Sequence, residues 1–112
     1  MKEIPVIEEC IEALKKAPLG FGIRVFESFA MAQNGRIPLP DEDEKEISKH
    51  AVVVLGYSRE HRCFYFRDTY LRPWGSFDGS LPFEYVEKGY VLEIGQGIVT
   101  INPQISDNKM PT

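Results

Sequence analysis

Two histidines, two cysteines and one tryptophan are the residues of this chain best suited to chemistry, and their settings differ sharply. His50 opens the apolar run Ala51–Tyr57, and the aromatic run Cys63–Arg67 follows after a polar turn, Ser58–His61. The spacing predicts an antiparallel hairpin, apolar enough along its first strand to be buried on both faces. With Tyr57 facing Arg62 across the turn, His50 falls opposite Thr69, and a single bulge brings it opposite Asp68. A carboxylate that accepts from one imidazole nitrogen fixes the tautomer and raises the basicity of the other. Trp74 follows closely enough to cover that contact from water. Such a pair is the orienting half of a nucleophile–base–orienter arrangement.

Plainer roles account for the same residues one at a time. A histidine at a strand start is commonly just a polar residue at a sheet edge, and a single tryptophan is more often core than lid. His61 sits in the predicted turn, where solvent surrounds it. Cys10 lies on the apolar face of a predicted helix and Cys63 inside a strand, so both read as packing. Neither opens a helix nor has a cation placed to lower its pKa, which is what a thiolate nucleophile needs.

The elements that must position these residues are legible in outline. Ile7, Cys10, Ile11 and Leu14 recur at helical spacing, with Glu8, Glu9, Glu12, Lys15 and Lys16 opposite. This predicts one helix over residues 5–16, stopped by Pro18. Gly22–Phe29 reads as a strand, Asn34-Gly35 as a turn, and the charge run Asp41–Glu46 as a solvated loop rather than a metal site. Leu81–Val86 suggests a short turn or helix. Tyr90–Ile94 and Ile98–Ile101 form a terminal hairpin across Gly95-Gln96-Gly97. The expected core is Ile11, Leu14, Val25, Phe26, Val52, Val54, Phe64, Phe66, Val91 and Ile98.

At 112 residues the chain has room for one small domain, residues 1–102, with a polar tail over 103–112. A net charge of −4 argues against nucleic acid or an anionic membrane as partner. No apolar run reaches a membrane span, and the acidic first twenty residues do not resemble a signal peptide. Two cysteines without metal spacing fit a reduced, cytoplasmic protein.

Several stretches resemble papain-like cysteine peptidases of the bacterial type. His50-Ala51-Val52 through Gly56-Tyr57 is similar to the family's histidine strand, and Arg67-Asp68-Thr69-Tyr70 to its Lys/Arg-Asn-Ser-Trp. Trp74-Gly75 with Asp78-Gly79 resembles its Trp-Gly and downstream Asn-Gly, and Leu81–Val86 its Leu-Pro-Tyr-Glu-Tyr-Leu. Upstream, Ile11–Ile37 follows the family's helix, strand and Ser-Phe pattern, so the likeness runs over roughly residues 5–101. It implies an α+β, mostly β fold: a small antiparallel β-barrel with one N-terminal helix, the right-hand half of the peptidase. By the same resemblance His50 is the catalytic imidazole, Asp68 stands for the orienting Asn and Trp74 shields the pair. Lys49 touches the substrate groove, and Ser28 and Phe29 belong to the wall near it.

The departures are equally specific. The family's oxyanion Gln and its Cys-Trp helix have no counterpart in these residues, and Asp68 and Tyr70 replace the usual Asn and Trp. Asp orients a histidine as Asn does, but an oriented base without a nucleophile activates nothing. Three roles are therefore open. The chain is a histidine-bearing half that needs a cysteine-bearing half and takes peptide only when completed, a non-catalytic protein-binding module (inhibitor, decoy or regulator), or a structural remnant. No cofactor or metal is implied. A protein partner or a second copy is expected to cover the old interdomain face, to which Ile7, Ile11, the Phe21 strand, Trp74 and Phe77 contribute apolar surface.

Overall fold

A computed structural model describes residues 6–30, 35–68, 79–97, 99–101 and 103. The first helix, α1 (Val6–Leu14), turns its Ile7, Cys10 and Ile11 stripe into the core. Its last turn tightens, with Lys16 N–H donating to Ala13 at 2.9 Å. The Gln96 side-chain amide then donates to the Ala13 and Ala17 carbonyls at 2.7 and 2.8 Å, so a distant strand caps the helix.

Strand β1 (Leu19–Phe26) gives way to a four-residue helix, α2 (Glu27–Ala30), where the sequence pattern predicts strand as far as Phe29. The long β2 (Glu46–Ser58) and β3 (Cys63–Asp68) form the expected hairpin. Gly79–Pro82 is a short edge strand, β4, followed by α3 (Glu84–Glu87), then β5 (Val91–Gln96) and β6 (Val99–Ile101). Gly79 must be glycine, because a Cβ there would meet the Gly35 carbonyl oxygen at 2.5 Å and the Phe66 ring at 2.7 Å.

All six strands join one antiparallel sheet in the order β4-β3-β2-β1-β5-β6. The α+β, mostly antiparallel class is as expected, but the sheet is open among the described residues rather than a closed barrel. Closure needs the two outermost strands to pair. Here β4 and β6 are short ends, and α1 and α3 contribute buried side chains to the core that covers one face.

That core gathers Leu19, Phe21, Ile23, Val52, Val54, Phe64, Phe66, Leu81, Val91 and Ile94, joined by Ile11 and Tyr85 from the helices. Leu14 packs against its margin, and Ile98 lies outside the described residues. The hairpin is not buried on both faces. Val52 and Val54 are buried, whereas Val53 and Leu55 are 38% and 39% exposed, because no layer among the described residues covers the outer face. Ile7, Ile11 and Phe21 are likewise not left uncovered; they are buried within this chain's own core. Of the apolar surface expected at an interface, Trp74 and Phe77 lie outside the described residues.

Candidate active site

His50 lies in the first half of β2, just beyond the described pairing with β3, in register with Ile23 on β1 and on the side of the sheet that carries Val52 and Val54. Successive even positions of the strand thus pass from a sealed core to a partly buried imidazole. The Phe29 ring, itself only 4% exposed, stands edge-on to the imidazole, with centroids 6.4 Å apart and planes at 79°. Edge-to-face contact restrains ring orientation.

The register corrects the expected pairing of the histidine with its carboxylate. Arg59–Arg62 is a four-residue turn, with Arg62 N–H donating to Arg59 at 3.3 Å and Arg62 at φ 50°. Tyr57 therefore pairs with Phe64 rather than Arg62, and a bulge between Val54 and Gly56 shifts the ladder again. Asp68 comes opposite Val52, so His50 is its diagonal neighbour and not its direct partner. The position of Trp74 lies outside the described residues.

Lys49 points away from this end of the core. Its ammonium is 2.9 Å from Glu46, which also accepts from Arg24 at 2.7 Å. Glu46 is held below the usual carboxylate range, first by its hydrogen bond with Lys49 and then by Arg24.

Neither thiol meets the histidine. Cys10 is fully buried in α1, and burial pushes its pKa up to about 12. Cys63 pairs with Ser58 at the other end of β2, roughly 27 Å of strand from His50. Burial raises Cys63 too, against a smaller opposing hydrogen bond from Tyr65. Among the described residues no cluster of His, Cys, Asp and Glu is arranged to hold a metal ion, and no helix is long and apolar enough to cross a membrane.

Sequence reasoning missed a polar contact beside this site. The Glu44 carboxylate, inside the run read as a solvated loop, accepts from Ser28 N–H at 2.7 Å and Asp41 N–H at 3.1 Å. Nothing in the local pattern signals a bond that spans sixteen positions.

No protein-family model matches the chain. It is 32% identical over 90 residues to an uncharacterized peptidase C1-like protein of Acanthamoeba polyphaga mimivirus, a match over 71% of this chain and 29% of that protein. It also superposes on the crystal structure of xylellain, a cysteine protease from Xylella fastidiosa, with a TM-score of 0.62 and 26% identity. That superposition covers 80% of this chain and 33% of the protease, so the chain spans a third or less of either relative. Sequence and fold agree: the chain is related to the papain-like cysteine peptidases and carries part of their fold.

Proposed function

We propose that the chain is the histidine-bearing half of a papain-like cysteine peptidase, inactive alone and completed by a cysteine-bearing half. The observation behind this reading is the setting of His50. It is partly buried against Phe29, in a chain that over 80% of its length is similar to a third of a cysteine protease. In the completed site His50 takes the proton of a thiol supplied by the other half, and the thiolate attacks the peptide carbonyl. The imidazolium then returns the proton to the leaving amine. Asp68 orients the imidazole by a diagonal reach across the hairpin, where neighbours of this kind lie about 7–8 Å apart. Trp74 shields that contact, and Lys49 belongs to the rim of the peptide groove.

The test is hydrolysis of a fluorogenic peptide by the chain alone, and after mixing with the cysteine-bearing remainder of a related protease. The expected result is no turnover alone, turnover on mixing, and its loss with His50→Ala. Turnover by the isolated chain that Cys10→Ser or Cys63→Ser abolishes would overturn the proposal.

A second reading, a non-catalytic module that binds protein, has its own observation. The outer sheet face exposes Val53 and Leu55 beside a hollow of about 410 Å³ lined by Gly20, Gly22, Ala51 and Gly95. Exposed apolar side chains next to a glycine-floored trough are a surface that another chain can cover. Sedimentation at micromolar concentration separates the cases. A clean monomer that binds no cysteine-bearing half counts against both.

A further inference from the structure

We infer that Glu44 is a positioning residue for His50, acting through α2 and Phe29. The inference rests on His50 being the base proposed above and adds a residue to its support.

Glu44 belongs to a tight turn, its N–H donating to Asp41 at 3.0 Å. Both carboxylate oxygens are committed to backbone donors, one to Ser28 and the other to Asp41. The bond to the Ser28 N–H is also the first cause that holds Glu44 below the usual carboxylate range. This side chain is therefore engaged in holding the fold, not in attracting a cation.

What it holds is a helix too short to hold itself. Four residues complete barely one turn, and the cost of nucleating a turn exceeds what one turn returns. Two attachments fix α2 in place: the Glu44 carboxylate at Ser28, and the adjacent Phe29 ring sunk into the core. Phe29 is the ring that stands against the imidazole. The loop bearing Glu44 runs straight into β2, which carries His50. The acidic turn thus closes a circuit from β2 through Glu44, Ser28 and Phe29 back to His50. Releasing the carboxylate frees α2 to rotate, and with it the ring that restrains the imidazole.

The experiment is proton–carbon NMR of the histidine rings in the full chain, which contains only His50 and His61. His61 lies in the exposed Arg59–Arg62 turn and serves as an internal reference. Phe29→Leu, which removes the ring current, defines the shift of a released His50. Glu44→Ala should carry the His50 resonances most of the way to that position while His61 stays put. Glu44→Gln keeps a carbonyl oxygen for the Ser28 N–H and should leave His50 close to the parent spectrum, a rescue that a charge effect would not give.

The inference is overturned if Glu44→Ala leaves His50 unmoved while Phe29→Leu shifts it. It is equally overturned if both histidines move together, which would mark general loosening. None of these readouts involves hydrolysis. A chain that fails to complement a cysteine-bearing half yet shows the selective His50 shift sinks the peptidase proposal and spares the positioning role.

Discussion

The two ends of the β2–β3 hairpin are held by different means. At the turn end, Arg59 makes a two-pronged pair with Glu8 of α1, at 2.6 and 3.0 Å. Arg62 reaches Glu87 of α3 at 2.9 Å, and its carbonyl accepts from Phe83 N–H. Beneath these contacts Phe64 is fully buried between Phe21 and Phe83, with ring centroids 5.3 and 4.7 Å away. At the His50 end, the described contacts are an edge-on ring, a carboxylate on a backbone N–H and the Arg24–Glu46–Lys49 group. One end combines ion pairs with a fully buried aromatic cluster, and the other sets a single buried ring and polar contacts around a partly exposed imidazole. Under the proposed function, stability and chemistry would occupy opposite ends of one element, as expected when a rigid scaffold presents a site at its rim.

The largest effect should come from the packed end. Phe64→Ala removes a fully buried ring from the centre of three and should cost about 3–5 kcal/mol. A domain of this size has on the order of 5–15 kcal/mol to lose, so a large fall in the urea midpoint follows. A drop no larger than that of an exposed substitution would mean that the core is not centred on Phe64. Gly79→Ala comes next. Its new methyl would collide with the Gly35 carbonyl and the Phe66 ring, at a cost of about 1–3 kcal/mol read from the same unfolding curve.

A smaller effect distinguishes the ends by acid. Glu8 is held below its ordinary value first by the Arg59 hydrogen bond, and Glu44 first by the Ser28 N–H. A carboxyl lowered in the folded state contributes stability that is complete above its unfolded value, about 4.3, and is lost as pH falls through its folded value. The urea midpoint should stay level above about pH 5 and decline below about pH 4. Glu8→Gln and Glu44→Gln should each flatten that decline. High salt should weaken the exposed Glu8–Arg59 contribution more than the Glu44 bond, which goes to backbone. An acid limb unchanged in both variants would show that neither carboxylate is linked to folding.

How much of this was legible depended on how far each feature reaches along the chain. The helix stripe and apolar strands follow local periodicity, and nine of the ten expected core positions lie in the core, at its margin or on its buried side. The short strand Gly79–Pro82 has no periodicity to read, and α2 hides in Glu-Ser-Phe-Ala, which continues the preceding strand without a break signal. The register failed for a local reason with a distant consequence. Arg62 adopts a left-handed conformation that ordinarily favours Gly or Asn, so nothing announced that the four-residue turn lies one position later than expected, at Arg59–Arg62, and every pairing toward His50 shifted. Val53 and Leu55 look like core by composition. Only the one-sided layering of the sheet tells them from Val52 and Val54. The residues expected around His50 came from hairpin pairing and resemblance together, whereas Glu44 needed the three-dimensional structure.

The smallest expected effect on stability carries the most information about function. His50→Ala removes a partly buried imidazole that stands edge-on to the Phe29 ring. An aromatic pair of this kind is worth about 0.5–1.5 kcal/mol, and part of that returns as the Phe29 ring settles against its neighbours. The urea midpoint should therefore fall by less than about 1 kcal/mol, well short of Phe64→Ala on the same sheet face. If His50 were simply part of the core, its loss would leave a cavity costing several kcal/mol, and the contrast between the two ends of β2 would disappear. A near-neutral effect on folding, joined to complete loss of turnover in the complemented protein, is the pattern of a residue kept for chemistry. Near-neutral folding with undiminished turnover would remove His50 from the mechanism and leave the outer face around Val53 as the surface to pursue.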